Sequence, residues 1–159
     1  MRPNLYWLQT GGCGGDTMSM LNADSPNIVE AKGSLGIDFL FHPSFSSHSP
    51  ESHRHLLDEL TGGTRRLDIL CLEGSAILGP NNTGMYETFA GKAKKDLIRQ
   101  LAERAGLVFA IGTCASFGGV TRACEVDAGG LQFSGKTPGG FLGKDFRSGS
   151  GLPVINLPG

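Results

Sequence analysis

Cysteine is scarce and scattered in this 159-residue chain, which has four: Cys13, Cys71, Cys114 and Cys124. So few, so far apart, exclude the disulfide framework of a small secreted domain. They point to a reducing cytoplasm, with membrane association only through a partner. Long apolar runs are missing, which excludes a bilayer-spanning segment. Core-like residues begin by Leu5, so neither a signal peptide nor a twin-arginine signal is expected. Excess charge is missing too: 14 basic residues face 15 acidic ones for a net charge of −1. That balance removes the electrostatic case for nucleic acid or an anionic membrane surface. There is no internal repeat and no collagen-like period. What remains is 39% hydrophobic and 18% charged, a single globular domain long enough to bury a real core. Glycine is the one excess. Its 25 residues are about twice the usual share of roughly 7%, and they mark turns and close backbone approaches.

Five strand candidates alternate with helical or loop segments: residues 4–9, Leu35 to Phe41, Leu67 to Leu72, Leu107 to Ile111 and Pro153 to Leu157. Continuous apolar character in the first four predicts strands covered on both faces. Ser49-Pro50-Glu51 reads as a helix start, with Leu56, Leu57 and Leu60 on one face. A long helix is predicted from Met85 to Ala105, with Phe89, Ala93, Leu97 and Leu101 at i+4 spacing and Gly106 as its stop. A short helix from Thr17 to Asn22 follows the first strand. The alternation predicts a doubly wound α/β domain with a parallel five-stranded sheet and helices on both faces. Residues 121–152 read as a long surface excursion before the fifth strand. The chain stops at Pro158-Gly159, where a strand-to-loop turn should open, and so looks cut short.

The strand ends carry the chemistry. Cys13 stands in Gly-Gly-Cys-Gly-Gly-Asp after strand one, and Cys114 in Gly-Thr-Cys-Ala-Ser after strand four. If the strands are parallel, both thiols emerge at the carboxyl edge, where open α/β sheets bind ligands. Asp16 and Glu73 reach the same rim. Thiolates select iron–sulfur clusters or zinc, and Cys13 with Asp16 has the spacing that lets one tight loop present two donors. Two thiolates and a carboxylate are one donor short of closing a cubane cluster. The alternatives are plain: a buried cysteine is a small hydrophobe, and Asp16 caps the helix beginning at Thr17.

A series of blocks in order along the chain resembles the amino-terminal domain of nickel–iron hydrogenase small subunits. They are Trp7-Leu8-Gln9, Gly12-Cys13, Asp16-Thr17-Met18-Ser19, Leu72-Glu73-Gly74, Gly79-Pro80 with Thr83-Gly84, Gly112-Thr113-Cys114-Ala115-Ser116-Phe117-Gly118-Gly119, and Pro153 to Gly159. The resemblance implies a flavodoxin-like domain over residues 1–159, without the further cluster-bearing region of a full small subunit. It implies a proximal [4Fe-4S] cluster that takes electrons from a Ni-Fe centre in a large-subunit partner during H2 oxidation, in a heterodimeric assembly. The family's first ligand falls on Cys13, its second, normally cysteine, on Asp16, and its third on Cys114. The fourth would follow Gly159. Some uptake-type members similarly lack the second cysteine. Gly12, Glu73 and Thr113 would lie beside the cluster, Glu73 tuning its electrostatics or accepting a proton, or else capping a loop. Gly15 and Gly119 fall where certain oxygen-tolerant members carry two additional cysteines, which argues against their modified cluster.

Other readings are retained. A flavin- or nucleotide-binding domain would use the same rim, with Gly11 to Gly15 as a phosphate cradle, and an inactive truncated fragment is a third possibility. Cys71 reads as a core residue within the third strand, and Cys124 matches no ligand. His53 and His55 point different ways, and His42 and His48 read as solvated or partner-facing. Lys92-Ala93-Lys94-Lys95 reads as the wet face of the long helix.

Overall fold

The computed structural model describes residues 2–124, 126–134 and 139–159. The main sheet contains β1 (Asn4–Gln9), β2 (Asp38–Phe41), β3 (Ile69–Glu73), β7 (Leu107–Ile111) and β9 (Ile155–Leu157). Between them lie the short strands β4 (Ala76–Ile77), β5 (Thr88–Phe89), β6 (Lys92–Ala93) and β8 (Ala128–Gly129). The helices are α1 (Gly15–Leu21), α2 (Ile28–Leu35), α3 (Pro50–Gly62), α4 (Lys94–Arg104), α5 (Gly112–Phe117) and α6 (Gly119–Ala123).

All pairings in the main sheet are parallel, in the order β2-β1-β3-β7-β9. That is the flavodoxin-like order. The apolar runs of β1, β3 and β7 are packed on both faces, whereas β2, at the sheet edge, is only partly buried; the period of two divides them. Tyr6, Leu8, Leu70, Leu72, Val108 and Ala110 join one core with Leu56, Leu57 and Leu60 of α3 and Ile98, Leu101 and Ala102 of α4. Leu5, Trp7 and Cys71 form a second core on the other face, with Met20 of α1, Phe109 and Ile111 against it.

Helix α3 starts as its sequence dictates: Ser49 caps the Ser52 N–H at 3.2 Å, and Pro50 occupies the first turn. Helix α2 was not anticipated, although Asn27 and Glu30 form a full capping box. Its first half was open to detection, since Asn-x-x-Glu is a start signal. Leu35, expected in strand two, instead ends α2, and Gly36 turns the chain with φ 62°.

The long helix expected from Met85 is corrected to α4 alone. Ala90 and Gly91 both have positive φ, 49° and 78°, which a right-handed helix cannot contain. They turn the β5–β6 pair instead. Lys94 is correspondingly no wet-face residue: its Nζ donates to Gln9 O at 2.9 Å and Glu87 Oε1 at 2.8 Å.

The excursion at 121–152, of which 125 and 135–138 lie outside the described residues, is more than surface. Leu131 is 0% exposed and joins the main core. β8 pairs antiparallel with β4. Buried Gln132 pins the rest, its two Nε2 hydrogens shared among the carbonyls of Gly143, Lys144 and Phe146 at 2.9, 3.2 and 3.1 Å. Its Oε1 accepts the Val154 N–H at 2.7 Å, just before β9.

Replacing Gln132 by Leu strands the buried Val154 N–H and releases those carbonyls. The expected loss is on the order of 2–3 kcal/mol, read from urea unfolding. Burial pushes the Cys71 thiol up to about 12. Native protein treated with a thiol reagent should therefore be labelled at exposed Cys13 and Cys124 but not at Cys71 until it unfolds.

Candidate metal centre at the carboxyl edge of the sheet

Four strands end flush. The register pairs Gln9 with Glu73, Glu73 with Ile111, and Ile111 with Leu157. Whatever follows these residues is delivered to one edge, with β1 and β7 separated by two strand spacings, about 10 Å. Cys13 lies in the loop after β1 and is exposed; Cys114 lies in α5, directly after β7, and is partly exposed.

Asp16 bridges the two loops. A methyl group built on Gly112 would overlap its carboxylate, with Cγ at 2.7 Å and Oδ1 at 2.9 Å. The position of a Gly159 methyl would stand 3.7 Å from Oδ1. The Asp16 carboxylate therefore lies where the Cys13 loop, the start of α5 and the residue after β9 meet. It does not cap α1. That helix begins at Gly15 with Gly14 as its cap, without a side-chain cap bond, and Asp16 sits inside the first turn. Its negative charge suits the helix N-terminus. Even so, burial, joined by the charge of Glu73, pushes its carboxyl above the ordinary value, opposed by its own backbone N–H.

Glu73 serves the cap instead. It is 2% exposed and accepts from Trp7 Nε1 at 3.0 Å, Gln9 Nε2 at 3.0 Å and the Thr17 N–H at 2.9 Å. Thr17 Oγ1 also donates to Oε2. Burial alone would raise its carboxyl; the bonds from Thr17, Gln9 and Trp7 outweigh that and hold it below its ordinary value. Trp7 and Gln9 share a face of β1 by the period of two, and a carboxylate at the end of the adjacent strand needs such donors. That pattern could have shown the cluster of bonds in advance; the sequence reading missed it.

Glycine leaves room around the thiols. A methyl on Gly119 would overlap Cys114 Sγ, and one on Gly15 would lie 3.1 Å from Cys13 Sγ. Gly12 is packed against Gly74, its methyl position 3.1 Å from the Gly74 Cα. Thr113 donates to Pro158 O at 2.8 Å, tying α5 to the segment after β9. Among the described residues no three His, Cys, Asp or Glu side chains converge closely enough to hold a single metal ion.

The phosphate-cradle alternative meets opposition. The Gly11 N–H is taken by Ser75 O at 3.1 Å, and Glu73 places negative charge at the α1 N-terminus, where a phosphate would need to sit. Among the histidines, His42 is corrected: it is 0% exposed, stacked on Phe45 at 4.2 Å and set 5.0 Å from the Trp7 ring. His53 and His55 diverge as expected, His53 to Tyr6 OH at 2.7 Å and His55 to Glu59 at 3.7 Å.

Glu73→Gln should destabilise the metal-free chain at pH 7 by roughly 1–3 kcal/mol, since its bonds are charge-assisted. A folded carboxyl held below its unfolded value contributes stability that is full above the unfolded value of about 4.3. That stability is lost as pH falls through the folded value. The two unfolding curves should thus converge in acid. Asp16→Asn should do the reverse, stabilising the metal-free chain at pH 7 with a gain that fades as pH falls.

Residues 13–159 match the family described as NADH ubiquinone oxidoreductase, 20 kDa subunit. The F420 non-reducing hydrogenase II small subunit of Methanosarcina mazei is 29% identical over 98% of this chain and 44% of its own length. The hydrogenase-2 small chain of Escherichia coli is 30% identical over 99% of this chain and 38% of its own. This chain thus spans less than half the length of these curated relatives. Among solved structures, the recombinant [NiFeSe] hydrogenase of Desulfovibrio vulgaris Hildenborough superposes with a TM-score of 0.69 at 28% identity. The match covers 100% of this chain and 54% of that one. With the fold, the flush strand ends and these matches in agreement, the chain belongs to the NADH ubiquinone oxidoreductase 20 kDa subunit family and is similar throughout to hydrogenase small subunits.

Proposed function

We infer that this chain is the electron-relay domain of a nickel–iron hydrogenase small subunit. It would hold an iron–sulfur cluster of the [4Fe-4S] type through Cys13, Asp16 and Cys114, beside a large subunit carrying the Ni-Fe centre. The observation that carries this reading is the seating of the Asp16 carboxylate against Gly112, which joins the two cysteine-bearing loops. The donor set suits a cluster better than a lone ion. A single ion needs its ligands gathered on one point, whereas a cluster takes one donor per iron and lets them stand apart. When bound, the cluster supplies one-electron redox chemistry.

The chain's own residues bind, orient and tune. The strand register fixes the spacing of the loops, and the glycines at 15, 112 and 119 keep side chains out of the space beside the donors. Glu73 keeps a fixed negative charge behind Asp16 without competing as a ligand, because its oxygens are committed to Trp7, Gln9 and Thr17. An aspartate oxygen is harder and more exchangeable than a thiolate, so Asp16 would leave one iron the least firmly held. The cytoplasmic setting belongs to the same reading, supported by cysteines too few and too scattered for a disulfide framework. No described helix is long and apolar enough to cross a membrane.

Anaerobic co-purification with the large subunit, followed by iron and acid-labile sulfide determination, tests the reading. Bound iron and sulfide are expected, sharply reduced by Cys13→Ser or Cys114→Ser. Asp16→Cys should retain the cluster, tighten iron retention and shift its midpoint potential. Iron content unaffected by both cysteine variants would overturn the assignment, and an unchanged midpoint in Asp16→Cys would remove Asp16 from the ligand set.

A further inference from the structure

Beside β2, the edge strand of the main sheet, the surface opens into a cavity of about 410 Å3. That volume lies within the range of small-molecule sites, roughly 300–1,000 Å3. Its floor is aromatic. Phe41 and His53 stack with ring centroids 3.8 Å apart and planes 12° from parallel, and Phe89 meets His53 edge-on at 5.3 Å. Its walls include His48, Ser49 and Arg54, and no carboxylate lines it among the described residues. Arg54 is exposed and makes no ion pair among the described residues.

The hydrogen-bonding state of His53 follows from its neighbour. Tyr6 is fully buried, and burial raises its hydroxyl so that it stays a protonated phenol. Its one described partner is His53 Nε2 at 2.7 Å. Donation to Nε2 is the arrangement that leaves the buried phenol proton satisfied, and it assigns the ring proton to Nδ1. That N–H has no partner among the described residues, on a ring that lines the cavity. An aromatic floor, a fork-shaped cation and a free N–H donor together form a recognition set for a flat ring bearing a carboxylate.

We propose that this cavity binds a small planar aromatic carboxylate, with its ring against the edges of the Phe41–His53 pair and against Phe89. Its carboxylate would accept from Arg54 and from the His53 Nδ1–H. Its lining shares no residue with the cysteine-bearing loops, and the proposal does not rest on the electron-relay reading.

Calorimetric titration of the full chain with 2-naphthoate tests it, beside 2-naphthalenemethanol as a neutral ring and inorganic phosphate as a ringless anion. Saturable one-to-one binding of naphthoate is expected, with the alcohol and phosphate each much weaker. Arg54→Met should weaken naphthoate by about tenfold or more, the worth of a charge-assisted hydrogen bond, and leave the alcohol unchanged. His53→Phe keeps the stacking surface and should weaken naphthoate while sparing the alcohol. Circular dichroism verifies that the variants fold. Three results would overturn the proposal: no saturable naphthoate binding, an affinity indifferent to Arg54→Met, or phosphate binding as tightly as naphthoate.

Discussion

The buried carboxylate of Glu73 is the constraint on which the rest of the edge depends. A carboxylate out of water must be matched by donors, and each of its donors comes from an element with a position to keep. Trp7 and Gln9 fix the end of β1, and the Thr17 N–H and hydroxyl fix the first turn of α1. One side chain thereby sets the angle at which the Cys13 loop leaves the sheet. It also satisfies a helix N-terminus that Gly14 leaves without a side-chain cap. The neighbouring Asp16 bears the electrostatic consequence, a second negative charge beside one that cannot move away.

Around that anchor the edge is built from backbone more than from side chains. Gly11 and Ser75 exchange backbone hydrogen bonds of 3.1 and 2.8 Å, and a methyl on Gly74 would come within 2.7 Å of the Thr10 carbonyl carbon. The loops after β1 and β3 can approach this closely only without a Cβ. Ser75 then reaches Thr121 at 2.6 Å, linking the same loops to α6. Part of the glycine excess of the composition serves places such as these.

How much of this was legible in the sequence follows from the range of the forces involved. Strands β1 and β7 could be read to the residue because they are continuous apolar runs ended by polar or glycine residues. Helix α3 could be read because its cap and its leucine stripe are local. The false extension of α4 arose because Phe89 and Ala93 fit a helical spacing by coincidence, while Ala90 and Gly91 take a backbone conformation that apolar periodicity does not report. His42 was misjudged because its burial depends on Trp7 and Phe45, contacts that no local pattern encodes. At the candidate site, the residue types and the common edge were open to reading. The contact between Asp16 and Gly112 was not, since it joins positions nearly a hundred apart. The excursion looked solvent-facing because it is glycine- and serine-rich. Two of its apolar residues, Leu131 and Leu142, are nonetheless core, and one amide, Gln132, organises the rest.

That amide has a kinetic consequence. β9 pairs with β7 across the whole excursion, a parallel closure between distant parts of the chain whose entropic cost falls due before any ladder bond repays it. By gathering the carbonyls of Gly143, Lys144 and Phe146 and the Val154 amide onto one side chain, Gln132 shortens the effective loop that β9 must close. Until it does so, the outer side of β7 remains an open template, and this is the interval in which a nascent chain is most exposed to mispairing.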